Sequence, residues 1–160
     1  MTSSDALLAD SVLAAATLVT GLQAGTYFTW ATGVMPGLAR VDDRAFVEAM
    51  QRVNVAIVNP VFVSTFLGAP LLAGAAAVTA DGPARTWAIA GTVLAVATVV
   101  ITAVGNIPLN NALDAAGPVD RVNGLAAVRA AFEPRWVRLN VLRSLTSAGA
   151  LACLSWAAGR

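Results

Sequence analysis

The sequence predicts an all-α protein, a four-transmembrane-helix bundle with a short interfacial helix in its third loop. Two observations carry that class. Only 12% of the residues are charged, against 58% hydrophobic. That is about half the charge of a soluble domain, which carries about 25%, and the mean hydropathy is +0.72. The hydrophobic residues also gather into four long stretches, 7–30, 53–78, 87–104 and 139–158, each near the roughly 20 apolar residues that cross a bilayer core. No repeat or low-complexity tract divides the chain, so 1–160 reads as a single integral membrane domain.

The first stretch, Leu7–Trp30, follows Met1-Thr-Ser-Ser-Asp-Ala. That segment lacks the positive start of a secretory leader, and the apolar run exceeds a cleaved core, so the span reads as retained. Gly21 and Gly25, four apart, form a small-residue pair of the kind that lets membrane helices approach closely. In loop one, Gly33–Arg52, Asp42 or Asp43 can cap a helix that carries Phe46, Val47 and Met50 on one side. It is expected to run on into the second stretch, Val53–Val78, with bends at Asn59-Pro60 and Ala69-Pro70, since a membrane helix tolerates proline where neighbours satisfy the freed carbonyl. Asp81-Gly82-Pro83 makes loop two a short turn before the third stretch, Trp87–Val104. Loop three, Asn106–Arg138, opens with Pro108 and is expected to hold a short amphipathic helix around Gly124–Phe132, lying at the interface as a lid. The fourth stretch is Leu139–Ala158, the one with an ionisable group inside it, Arg143.

All basic residues are arginine, and the formal net charge is +1. Arg40, Arg44 and Arg52 lie in loop one and Arg121, Arg129, Arg135 and Arg138 in loop three, whereas the opposite side has only Arg85 and Arg160. The positive-inside rule then puts loops one and three in the cytoplasm and both termini outside, with a bacterial plasma membrane as the expected location. No basic face for nucleic acid is present. Cys153 is alone, which excludes an intrachain disulfide and paired-cysteine redox chemistry, and it reads as a small apolar helix residue. Histidine is absent, so haem, zinc and copper sites built on imidazole are excluded. No other cluster has metal-ligand spacing, and neither a metal nor a cofactor is expected.

Arg143 is the sharpest functional clue, because a charge inside a span costs about 2.5–3.5 kcal/mol on insertion scales and normally faces the interior or a cavity. Trp136, Asn140, Arg143 and Ser147 recur at i, i+4, i+7 and i+11, one stripe of a helix. Polarity at the loop one/loop three end repeats on every span. Gln23, Tyr27 and Trp30 form a stripe at the exit of the first. Gln51, Asn54 and Asn59 open the second. Thr98, Thr102 and Asn106 close the third, followed by Pro108-Leu-Asn110-Asn111. The opposite half is almost entirely Ala, Val, Leu and Ile, apart from Asp10, read as structural. A vestibule lined by amides, hydroxyls, aromatics and one guanidinium accounts for all of this together. Each residue also has a plainer reading: Arg143 as a snorkelling anchor, the aromatics as an interfacial belt, the asparagines as interhelical glue, and Asn110-Asn111 as a turn. Against these stands the concentration at one end, since belts and glue should be shared between both.

At these residues the chain resembles the anthrone oxygenase-like family of small four-helix membrane proteins. The matching pieces are Gly25 and Tyr27 with Met35-Pro36-Gly37-Leu38, then Phe46 with Met50-Gln51-x-x-Asn54, then Asn106-Ile-Pro108-Leu-Asn110-Asn111, and last Phe132-x-x-Arg135-Trp136-x-x-x-Asn140-x-x-Arg143. They run in order along nearly the whole chain. The resemblance implies oxidation of polyketide anthrones to anthraquinones by molecular oxygen, without metal or flavin, and it implies Asn54, Asn110, Trp136, Asn140 and Arg143 as pocket residues.

Three hypotheses follow. The first is a cofactor-independent oxygenase whose partners are a small aromatic or enolisable molecule, molecular oxygen and membrane lipid. Arg143, Asn140 and Asn54 would hold the enolate, and Tyr27, Trp30, Asn106, Asn110 and Trp136 would bind the substrate. Donors preorganised toward developing charge are worth about 3–4 kcal/mol each. The second is a non-catalytic membrane protein that binds a quinone, a lipid headgroup or an anionic small molecule, with Arg143 as counter-ion. The third is a scaffold in which Arg143 and the asparagines pair with one another. Oxygen uptake, a ligand held without turnover, and loss of thermal stability alone distinguish them.

Overall fold

The computed structural model describes residues 3–160, which are helical throughout apart from short turns. Met1 and Thr2, the start of the leader segment weighed above, lie outside the described residues. Helix α1 (Ser3–Thr29) passes through a π-helical turn, Trp30–Val34, into the short α2 (Met35–Leu38). Next come α3 (Asp43–Ile57), α4 (Pro60–Thr79) and α5 (Gly82–Ile101), and a second π turn, Thr102–Asn106, leads into α6 (Ile107–Ala115). The long α7 (Leu125–Ala157) completes the chain.

Local chemistry sets the boundaries. The Asp42 side chain accepts from the Ala45 N–H at 2.8 Å and starts α3. Asn59 accepts from the Phe62 N–H at 3.0 Å, and Pro60 sits in the first turn of α4. Both are standard ways of satisfying the free donors at a helix start. Gly124, with φ of 86°, turns the chain into α7 through a left-handed conformation that glycine adopts without strain.

Helix α4 packs on α1 and α5, and α7 packs on α5 and α1. Helices α3 and α6 meet each other and the start of α7, forming a cap over one end. The core accordingly comes in two parts. At the far end, Ala16, Ala73, Ala76, Ala77, Ala88 and Ala157 gather around Leu13 and Leu154. Such small side chains let the backbones come close: a Cβ added at Gly91 would lie 3.0 Å from Leu154 Cγ and 3.3 Å from the Ala150 carbonyl oxygen. At the cap, Met35, Phe46, Val47, Met50, Leu113, Val119, Phe132 and Trp136 form a bulkier core.

Three helical segments are long and apolar enough to cross a membrane: 3–38, 60–79 and 82–115. Their outward surfaces carry Leu18, Leu22, Leu71, Val78, Val93 and Val104, all exposed, as lipid-facing helices require. Helix α7 has the length but not the apolarity, because Asn140, Arg143, Ser144, Thr146 and Ser147 interrupt its C-terminal half.

Two expectations need correcting. The short interfacial helix around Gly124–Phe132 is not a separate element; it is the start of α7, which continues through Pro134. The helix that stands apart in loop three is α6, joined to α5 by the π turn. The helix of loop one also does not run into the second span. Val58 (φ −81°, ψ 67°) ends α3, and Asn59 caps a new helix. Asn59 Nδ2 also donates to the Ala56 carbonyl at 2.9 Å, so one side chain ties both helix ends together.

Candidate functional site

Beneath the cap, a cavity of about 510 Å³ lies between α1, the α3–α4 joint, the α5–α6 π turn and α7, a size within the usual range for small-molecule sites. Tyr27, Trp30, Asn54, Asn106, Asn110, Trp136, Asn140 and Arg143 all line it. Phe62, Phe66, Met50 and Ile57 complete an apolar wall, with the Phe62 and Phe66 rings stacked at 5.9 Å.

Arg143 is 6% exposed and sits against the cavity floor. Its Cζ lies 4.6 Å from the centroid of the Tyr27 ring and 5.2 Å from that of Trp136. A cation over aromatic faces is attracted by the ring quadrupole, more strongly where water is excluded. Its Nη2 donates to Asn140 Oδ1 at 2.9 Å, while Nε has no partner. Among the described residues, no carboxylate pairs with this guanidinium.

Asn140 works in two directions. It accepts from Arg143 and donates through Nδ2 to the Tyr27 carbonyl at 3.1 Å. That carbonyl lies just before the first π turn, where a change from i+4 to i+5 pairing leaves a backbone acceptor short of its donor. The amide thus ties Arg143 to the backbone of α1. Asn54 is similarly engaged, its Nδ2 donating to Asp114 Oδ1 at 3.3 Å.

Both π turns lie at the cavity. The first brings Trp30 to within 5.3 Å of Trp136, ring centroid to centroid. The second ends at Asn106, which is 1% exposed and has no hydrogen-bond partner for either amide atom. A buried amide left unpaired costs about 1–3 kcal/mol. Just before it, Thr102 Oγ1 donates to the Thr98 carbonyl at 2.8 Å, and the Thr98 and Thr146 hydroxyls meet at 2.7 Å, joining α5 to α7 below the site. On the cap side, Trp136 Nε1 donates to Asn110 Oδ1 at 3.0 Å.

Sequence reasoning did not single out Asp114, the only carboxylate lining the cavity among the described residues. Asn106, Asn110 and Asp114 follow at i, i+4 and i+8, so the signal was one more turn of a stripe already recognised. The phenylalanine wall of α4 was also missed, since Phe62 and Phe66 in an apolar span look like lipid-facing residues.

Outside the cavity, Arg129 clamps the cap. It donates to the carbonyls of Val41 at 2.8 Å, Ala39 at 3.2 Å and Leu38 at 3.4 Å. It also pairs with Glu133 at 2.7 Å and Asp43 at 3.2 Å, and its Cζ stands 4.5 Å over the Phe46 ring. The hydrogen bond to Glu133, aided by Asp43, raises its pKa above the ordinary arginine value.

These features define a helical, membrane-compatible protein with a buried cation beside an aromatic-lined cavity that is open on one side. The sequence model of the anthrone oxygenase family matches residues 48–153, about two thirds of the chain, and the protein belongs to that family. No curated protein and no solved structure matches it.

Proposed function

We propose that the protein is a cofactor-independent oxygenase of the membrane, which holds an enolisable aromatic ketone in the cavity and lets its enolate react with molecular oxygen. The observation that carries this reading is Arg143: a desolvated guanidinium with no counter-carboxylate, set against two aromatic rings at the wall of a cavity. Such a group stabilises an anion generated in place, and a fixed donor in a water-poor site is worth about 3–4 kcal/mol to developing charge. Asn106 offers a further unpaired amide to the bound oxygen. For a methylene activated by flanking rings and a ketone, the carbon exchanges both hydrogens for one doubly bonded oxygen. Molecular oxygen supplies that atom, and its second atom leaves with the two hydrogens as water. Trp30 and Trp136 supply the flat walls, and Phe62 and Phe66 the apolar side. Membership of the anthrone oxygenase family favours an anthrone as the substrate class.

In the same reading α7 is the fourth span. Its outward residues Val141, Leu142, Leu145 and Trp156 are exposed, while Asn140, Arg143 and Ser147 face inward, so the polar groups that lower its hydropathy need not meet lipid. The arginine distribution favours a cytoplasmic cap with both termini outside.

The test is oxygen uptake by the detergent-purified protein with anthrone, with anthraquinone as the measured product. Turnover that Arg143→Ala abolishes supports the reading, and turnover unchanged by that substitution overturns it. Anthrone retained without oxygen consumption would favour the non-catalytic binding protein, in which Arg143 serves as counter-ion to an anionic ligand.

A further inference from the structure

We infer that Asp114 is the general base of the site, taking the proton from the substrate methylene. The inference rests on the oxygenase reading above and supplies what that reading lacks, a proton acceptor. The chain has no histidine, and Asp114 is the only carboxylate among the residues lining the cavity. Among the described residues no arginine pairs with it, and its one hydrogen bond comes from Asn54 Nδ2 to Oδ1, leaving the other oxygen open. Asn54 is the positioning residue, holding the carboxylate toward the cavity from α3.

Asp114 and Arg143 line the same cavity from different helices, α6 and α7. Asp114, exposed at the rim, stands one turn beyond Asn110, which accepts from Trp136, and the Trp136 ring centroid is 5.2 Å from the Arg143 guanidinium. Asn110 and Trp136 thus lie between the two groups along the wall. In an anthrone the carbonyl oxygen and the methylene carbon face each other across the central ring. With Arg143 at the carbonyl, Asp114 meets the methylene, a base and an anion-stabilising group that act on the same electron pair.

The chemistry balances as follows. The methylene C–H breaks, its proton goes to the Asp114 carboxylate, and the electron pair moves through the ring to the carbonyl oxygen beside Arg143. The carbanion carbon forms a C–O bond with molecular oxygen, and Asp114 returns the proton to the resulting peroxide. Asp114 then removes the second proton from that carbon as the O–O bond breaks. The carbon becomes a ketone, and the departing hydroxide takes the proton from Asp114 and leaves as water. Carbon is oxidised, oxygen is reduced, and the carboxylate ends as it began.

The decisive experiment separates proton removal from oxygen chemistry. The full-length protein in detergent is mixed with anthrone in heavy water without oxygen. Deuterium entry at the methylene is followed by NMR, and binding by quenching of tryptophan fluorescence. Wild type should accelerate exchange over the protein-free blank, and Asp114→Asn should lose about 100-fold of that acceleration while binding anthrone within about twofold. Asp114→Glu should restore part of it. Exchange in Asp114→Asn equal to wild type overturns Asp114 as the base and leaves the oxygenase reading standing. Binding without any exchange in wild type overturns both, and so does the absence of binding.

Discussion

Helix α7 carries two arginines in opposite circumstances. Arg129, on its cap side, is satisfied by two carboxylates and three carbonyls. Arg143, deeper, has one amide oxygen, two aromatic faces and an unpaired Nε. Arg143 is buried and Arg129 only partly so, and the two therefore differ in solvation as well as in pairing. A buried cation with every donor used fixes a structure, whereas Arg143 keeps a donor unpaired at a cavity wall. The same contrast runs through the amides, since Gln51 donates to the Leu113 and Gly117 carbonyls at 3.0 Å each, while Asn106 donates to nothing.

The largest expected effect tests the clamp. Arg129→Ala strands Glu133 and three carbonyls of the α2–α3 turn, and breaking a mostly buried pair costs about 3–5 kcal/mol. Thermal unfolding in detergent should show that loss, with the cap opening first as read by hydrogen exchange over 35–57. A stability within about 1 kcal/mol of wild type, the scatter of an exposed ion pair, would remove the contrast between the two arginines.

Arg143→Ala should reverse the pattern. It leaves no orphaned carboxylate, so stability should stay within about 1 kcal/mol, the worth of one hydrogen bond to Asn140. Turnover of anthrone should fall by about 10²–10³, the usual consequence of removing one oxyanion donor. A variant that unfolds as readily as Arg129→Ala would mean that both arginines serve the fold.

Asn106→Leu sharpens the comparison at the level of amides. Replacing an unsatisfied buried amide by an apolar side chain of similar size should leave the protein as stable or more stable, by up to about 1–2 kcal/mol. Affinity for anthrone, measured by tryptophan quenching, should weaken by about tenfold, which is about 1.4 kcal/mol. Destabilisation with unchanged affinity would place Asn106 among the structural groups.

Much of this was legible in the chain, for definite reasons. Polarity concentrated at one end of four apolar stretches brought Tyr27, Asn54, Asn106 and Arg143 into one neighbourhood before any coordinates, and they line a single cavity. The π turns were not legible, because an i+5 turn leaves no mark on composition and emerges only when Trp30 and Asn106 must face inward. The continuity of α7 was not legible either, since Pro134 lies inside it and proline removes a backbone donor. Arg129 and Glu133, bonded across the preceding turn and tied to Asp43, hold that turn helical and carry α7 through it. Asp114 was hidden by its surroundings: a lone carboxylate in a polar loop looks solvated, and it is exposed, yet the packing of α6 against α3 places it at the rim of the cavity. Helix α7 was the converse case, since the residues of its inner stripe are those that lower its apolarity below that of a membrane-crossing helix.

The smallest effect probes how the cap meets the site. Trp136 belongs to both, packed in the cap core and donating to Asn110 at the cavity wall. Trp136→Phe keeps an aromatic face for Arg143 but deletes the 3.0 Å hydrogen bond. The stability loss should be about 1 kcal/mol, the net value of one such bond plus a slight loss of packing. The effect on anthrone turnover should be larger than that figure implies. Asn110 would be free to rotate, and it precedes Asp114 by one helical turn on the face of α6 that lines the cavity. Turnover falling several-fold with little change in melting temperature would show the tryptophan registering α6 against α7. Equal losses in both would make it a core residue that happens to border the cavity.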